Sequence, residues 1–359
     1  MKKLFLHIGA GKTGSSALQN WLHENHENLK RKGIFYPLFD QKIKNPYQIT
    51  SGNGVIFIKK YLLNASLDDF FTTNTFQNFN LLLSSELFQK IEEIDLLYLK
   101  NIALSYGYEI EIILFVRNLY DMAYSSYQQL IKKHLYIKSF EEYVNSIEKF
   151  QQFEVLKKYE TVFENINVIH YNSCLGLGID SALCEVLKIS CLPKMKNKKV
   201  NRSLSIFESE LLKQINKLII DNKIPTHVSS DILHMLINKN PEKETELIFT
   251  EKLLHQFSKF QKDIEELNTK YLTQNKLSIL DYNYPAKLVS KASGIPKEYF
   301  FLIEFLLIDY INIKSKGTNN RKLNTTVSLY SIGIKKVHRA IQNSIKLLRI
   351  IKFNKKVHT

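Results

Sequence analysis

The chain has 359 residues, 44% hydrophobic and 24% charged, with 12 glycines, 7 prolines and a formal net charge of +15. That length buries roughly three quarters of the surface an unfolded chain exposes, enough for one large domain or two small ones, and so little glycine and proline excludes collagen-like and proline-rich disordered classes. The most apolar run, residues 298–313, is broken by Glu304 and Asp309, so it reads as a buried helix and not as a membrane span.

The opening MKKLFLHIG superficially resembles a signal peptide, but Gly9, Gly11 and Lys12 cut its apolar run to LFLHI. After it, short apolar runs at 4–8, 80–84, 110–116 and 166–171 alternate with helical periodicity at 16–31, 88–104, 120–133, 140–147 and 154–163. Continuous apolar strands alternating with helices predict an α/β fold: a parallel sheet with helices on both faces. From 205 onward the pattern is helical, at 205–222, 229–240, 251–271 and 297–312. We read 1–310 as one α/β domain whose 205–310 part is mainly helical, followed by a basic tail at 311–359.

Cys174, Cys184 and Cys191 are odd in number and lack metal-ligand spacing, which points to a reducing compartment, with the cytoplasm as the default. Residues 312–359 hold twelve lysines and arginines and no acid, leaving the rest of the chain only +3 of its charge. Ile334, Val337, Ile341, Ile345 and Leu348 recur at helical spacing with basic residues between them. Two readings stand for this tail: a helix peripheral on an anionic inner membrane face, or a helix packed on the domain with its basic side in water. The absence of an aromatic platform or nucleic-acid module argues against nucleic acid.

In an open parallel sheet, ligands sit beyond the carboxyl ends of the strands. The first strand runs into Gly9-Ala10-Gly11-Lys12-Thr13-Gly14-Ser15-Ser16 and then a helix. Such a turn aims backbone N–H groups and a helix N-terminus at one point, and Lys12, Thr13, Ser15 and Ser16 add a charge and hydroxyl donors, which suits phosphate or sulfate. An ordinary βα turn capped by Ser16 is the bland alternative. Walker A spacing fails, because position 6 is leucine. The third strand delivers Arg117, a bidentate fork for phosphate, and Ser125 follows eight residues on; a structural Arg117–Asp121 bridge is the alternative. The second strand ends at Ser84-Ser85-Glu86. His7, inside the first strand, reads as a core histidine, and no histidine has metal-ligand spacing, so no metal is expected.

Lys12-Thr13-Gly14-Ser15-Ser16 together with Arg117 and Ser125 resemble the PAPS-dependent sulfotransferase family (PAPS, 3′-phosphoadenosine 5′-phosphosulfate). HIGAGKTGSSALQNWL and the GIFYP at 33–37 are most similar to its bacterial carbohydrate-type branch. The resemblance covers about residues 1–210. It implies a P-loop-like sheet, with Gly11, Lys12, Thr13, Gly14, Ser15 and Ser16 on the 5′-phosphosulfate and Arg117 with Ser125 on the 3′-phosphate. It further implies Glu86 as catalytic base, partly buried to raise its pKa, Lys12 as the catalytic cation, and Arg202 on a basic loop closing over the 3′-phosphate. The acceptor would be a hydroxyl or amine of a glycan or glycolipid. Gly11 and Leu119 stand where the family pattern has proline, which alters loop stiffness. For Glu86 a first-turn helix carboxylate beside an N-capping Ser85 remains the alternative. Two other functions stay open: a P-loop-type nucleotide-dependent phosphotransferase, and a non-catalytic membrane-surface protein.

Overall fold

The computed structural model describes residues 1–9, 11–39, 52–64, 66–73, 78–174, 176–190, 192–195, 203–221, 229, 233, 246–248, 250–280 and 287–289. The helix expected over 229–240, apart from Ser229 and Leu233, the helix expected over 297–312, the basic tail, Cys191 and Arg202 lie outside these residues. The elements run β1 (Lys2–Ile8), α1 (Ser15–Glu24), α2 (His26–Arg31), β2 (Ile34–Phe35), α3 (Gly54–Phe57, continued by a π turn Ile58–Leu62), α4 (Leu67–Phe71), β3 (Asn80–Ser85), a 3-10 turn (Glu86–Lys90) and α5 (Glu93–Ser105). Then follow β4 (Tyr108–Val116), α6 (Leu119–His134), α7 (Phe140–Asn145), α8 (Gln151–Glu160), β5 (Ile166–His170), a 3-10 turn (Asn172–Cys174), α9 (Ile179–Val186), α10 (Ile206–Asp221), β6 (Glu246–Ile248), α11 (Glu251–Ser258), α12 (Gln261–Tyr271) and β7 (Lys287–Val289).

Five strands form one sheet in the order β2-β3-β1-β4-β5, all parallel, as the alternation predicts. β6 and β7 form a separate pair. The chain divides into two compact units: residues 1–129, 138–203 and 247–290, which carry the sheet, and residues 130–137, 204–246 and 291–359, whose described part is mainly α10. Among the described residues no helix is long and apolar enough to cross a membrane.

Both faces of β1 are covered, which explains its unbroken apolar run. Phe5 joins Leu82, Ile113 and Phe115 against Leu18, Trp21 and Leu22 of α1 and Leu183 of α9. Leu4, Leu6 and Ile8 point to the other face and are fully buried. Each such side chain contributes on the order of 2 kcal/mol.

The boundaries moved where side chains intervened. The 16–31 stretch breaks because Asn25 caps α1, its backbone N–H and Nδ2 both donating to the Trp21 carbonyl. The 88–104 stretch begins as a 3-10 turn because Ser85 accepts from the Leu87 N–H. The helix expected over 154–163 starts earlier, at Gln151, a shift that matters for the site. β2 and α9 escape the periodicity reading, β2 because two residues are too few to show a pattern.

β2 ends after Phe35, and Asn53 continues its ladder. Its side chain accepts from the Ser84 N–H at 2.8 Å and donates to the Leu82 carbonyl at 3.0 Å and to the Pro37 carbonyl at 3.1 Å, fully buried. Gly52 beside it has φ +74, and a Cβ there would lie 1.9 Å from the Ser84 carbonyl oxygen, so only glycine lets this segment lie on the strand end. Asn53→Leu would strand those β3 groups in the interior; we expect a loss of about 3 kcal/mol in urea unfolding.

Candidate active site

The loop after β1 is shaped by close approach. Gly9 donates its N–H to the Ser85 carbonyl at 3.2 Å. A Cβ on Gly9 would meet Glu86 Cγ at 2.8 Å and Ser15 Oγ at 3.0 Å, so the bare glycine lets Glu86 and the first residue of α1 converge. Lys12 and Gly14 take left-handed backbone, φ 72 and φ 76. Gly14, not Ser16, is the N-cap of α1, and no side chain caps that end. Thr13 and Ser15 are buried, their hydroxyl oxygens 3.4 Å apart; Ser16 is half-buried and Gly11 exposed. Ala10 lies outside the described residues.

Arg117 sits one residue past β4 and reaches this loop. Its Nη1 donates to the Lys12 carbonyl at 2.9 Å, and its guanidinium lies over the Tyr171 ring, 5.2 Å from the centroid. The same ring packs on the loop, 3.1 Å from where a Cβ on Gly14 would stand. Loop, arginine and aromatic ring form one stack. The Arg117–Asp121 bridge weighed from the sequence does not form: Asp121 accepts from Asn172 Nδ2 at 2.7 Å, and Arg117 spends its bonds on the loop.

Lys12 Nζ donates to Gln129 Oε1 on α6. Gln129 follows Ser125 by four residues and so shares its helix face, and Ser125 is half-buried. The start of α6 is held from outside: the Leu119 and Tyr120 N–H groups donate to the Ser278 and Ile279 carbonyls at 3.2 and 2.9 Å. Leu119 stands where the family pattern has proline, and its N–H is the donor proline would lack. Asn118 Oδ1 accepts from the Ser278 N–H at 3.0 Å and bonds His170 Nε2 at 3.1 Å.

Glu86 opens the 3-10 turn that Ser85 caps, so the expected capping by Ser85 is present. The turn is pinned hard. Gln89 donates to the Gly9 carbonyl, Lys158 donates to the Gln89 and Ile91 carbonyls at 2.7 Å each, and the Tyr159 hydroxyl donates to the Phe88 carbonyl at 2.9 Å. Glu86 itself is exposed. The partial burial expected of it is therefore corrected: Glu86 is exposed, although its Cγ packs against Gly9.

The structure thus brings Gly11 to Ser16, Arg117 and Glu86 to the carboxyl edge of β3, β1 and β4; Ser125 stands on α6 on the helix face of Gln129, which bonds Lys12, and Arg202 lies outside the described residues. Sequence reasoning missed Gln89, Gln129, Gln152 and Tyr171. Amides and a tyrosine on separate elements carry no motif; a surplus of glutamines near the ends of α6 and α8 was their only trace. Among the described residues no group of three or more His, Cys, Asp or Glu could hold a metal.

No protein-family model matches the chain, and no curated protein does. Two solved structures are similar at low level. Retinol dehydratase in complex with androsterone and the inactive cofactor PAP shares 12% identity over 79% of this chain and 84% of that one, with a TM-score of 0.31. A chain of the PezAT chromosomal toxin-antitoxin system of Streptococcus pneumoniae shares 13% identity over 75% and 88%, with a TM-score of 0.26. Neither likeness carries a functional argument, which rests on the site.

His7 lies beneath the loop, fully buried, with Nδ1 bonded to Ser84 Oγ at 2.8 Å and the Phe115 ring at 5.6 Å. Burial lowers its pKa from 6.5 to about 4. Between those values the unfolded chain binds a proton that the folded chain refuses, so stability falls as the pH drops through that window. Urea unfolding near pH 7 and near pH 4.5 should show a loss of up to about 3 kcal/mol from this group, and a smaller loss in His7→Gln.

Proposed function

We propose that this chain is a sulfotransferase that moves a sulfuryl group from PAPS to a hydroxyl or amine of a glycan or glycolipid. The observation that carries this reading is the bond from the Arg117 guanidinium to the Lys12 carbonyl, which joins two motifs 105 residues apart into one cation-rich site. In the reaction the acceptor oxygen forms a bond to sulfur as the bond from sulfur to the bridging phosphate oxygen breaks. The acceptor proton goes to the Glu86 carboxylate, which is open to solvent and so to an incoming acceptor. Charge gathers on the departing phosphate, where Lys12 and the first turn of α1 oppose it. Arg117 and Ser125 grip the 3′-phosphate and orient the donor, with Arg202 closing over it. The leaving product is adenosine 3′,5′-bisphosphate, and no metal is required.

The lack of Walker spacing around Leu6 disfavours an ATP-dependent phosphotransferase. Calorimetry decides between them: the bisphosphate should bind and ATP should bind far more weakly, whereas tight ATP binding without the bisphosphate would sink the proposal. With an acceptor found from a panel of bacterial glycans and lipid-linked sugars, Lys12→Ala should lower sulfate transfer by about 100-fold or more.

In this reading residues 1–310 are the transferase and the 311–359 tail holds it on the inner face of an anionic membrane, from the cytoplasm. Each basic residue near such a surface contributes about 1 kcal/mol. The full chain should co-sediment with phosphatidylglycerol vesicles at low salt and not with phosphatidylcholine vesicles, and removal of 312–359 should abolish the difference.

A further inference from the structure

Helix α8 starts at the site, and its first turn is unusual. No side chain caps it, and the Phe150 carbonyl accepts only from the Phe153 and Glu154 N–H groups. The Gln152 side chain, 2% exposed, folds back so that its Oε1 accepts the Arg117 N–H at 3.0 Å. The Nε2 of the same amide is buried and has no acceptor, and neither has Arg117 Nε. A buried unpaired donor costs about 1–3 kcal/mol, so two such donors on residues that bond each other are a costly arrangement for packing alone.

Their position gives the arrangement a purpose. The register pairs Ile8 with Leu114, so β1 has already turned into the loop at the level of Arg117. A carboxamide bonded to the Arg117 N–H therefore stands at the carboxyl edge of β1 and β4, where a parallel sheet takes its ligand. Gln151, next in the turn, donates to Gln89 Oε1 at 3.2 Å, and Gln89 holds the Gly9 carbonyl. The start of α8 is thus tied to both the arginine and the loop.

We propose that the Gln152 carboxamide, with the first turn of α8 behind it, is a second anion-binding element of this site, its Nε2 donating to a phosphate or sulfonate oxygen of the ligand that Lys12 and Arg117 hold. This rests on the sulfotransferase reading for the identity of the nucleotide, and on the geometry alone for the anion. The positive end of the α8 backbone supports it, and a neutral amide donates without adding charge that would compete with Arg117.

Gln152→Glu separates this role from a structural one. The carboxylate still accepts the Arg117 N–H, but the donor is gone and a negative charge faces the anion. Calorimetry on the full chain would compare wild type, Gln152→Glu and Gln152→Leu with adenosine 3′,5′-bisphosphate, adenosine 5′-monophosphate and inorganic pyrophosphate. We expect Gln152→Glu to weaken bisphosphate binding by about tenfold or more, at least as much as Gln152→Leu, measured below the thermal midpoint of each variant. A loss confined to the bisphosphate assigns Nε2 to the 3′-phosphate; a loss shared with the monophosphate assigns it to the 5′ end. Gln152→Glu binding like wild type while Gln152→Leu is impaired means the amide only positions Arg117, and overturns the proposal. If wild type binds pyrophosphate but not the bisphosphate, the nucleotide reading fails while the Gln152 comparison is still read on pyrophosphate; if wild type binds no anion, both fail.

Discussion

The bond between the Arg117 guanidinium and the Lys12 carbonyl organises everything around it. Lys12 holds a left-handed backbone that costs an L-residue about 1 kcal/mol or more, and the arginine meets the carbonyl that this conformation presents. Tyr171 lies under the guanidinium and against Gly14, so the loop cannot relax without unstacking the arginine. Because β1 and β4 are hydrogen-bonded neighbours, the distance between loop and arginine is set by the sheet, the stiffest part of the molecule. The loop and the arginine are therefore brought together by strand pairing.

Around this bond the connecting groups are neutral amides. Gln129 holds Lys12, Gln152 holds the Arg117 backbone, and Gln89 joins the Glu86 turn to Gly9, with Gln151 behind it. Carboxylates could accept the bonds that Gln129 and Gln152 accept, but each would cancel a cation. Amides fix geometry and leave the positive potential intact. Asp121 is turned toward Asn172, and Glu86, the acid nearest the loop, is exposed.

The departures from the sulfotransferase pattern have local explanations of this kind. Leu119 in place of proline supplies an N–H that binds the Ser278 carbonyl, so the start of α6 is held by a contact from far along the chain instead of by a ring. Gly11 is exposed, and a Cβ there would meet nothing within 4 Å.

Four strands of the main sheet, the glycine-rich turn after β1, Arg117 directly after β4 and the longer helices were legible in the chain itself, because each depends on local chemistry: apolar runs long enough to be buried on both faces, glycine where the backbone turns left-handed, a charged residue directly after a strand. Pairing of the two cationic motifs, exposure of Glu86 and the amides that brace the site were decided only by the tertiary structure. Those features depend on which strand ends lie side by side and which helix begins next to them, and hydrophobic periodicity is blind to both. A glutamine has no fixed partner in sequence; Gln152 acquires its meaning only because strand register brings the Arg117 N–H to it.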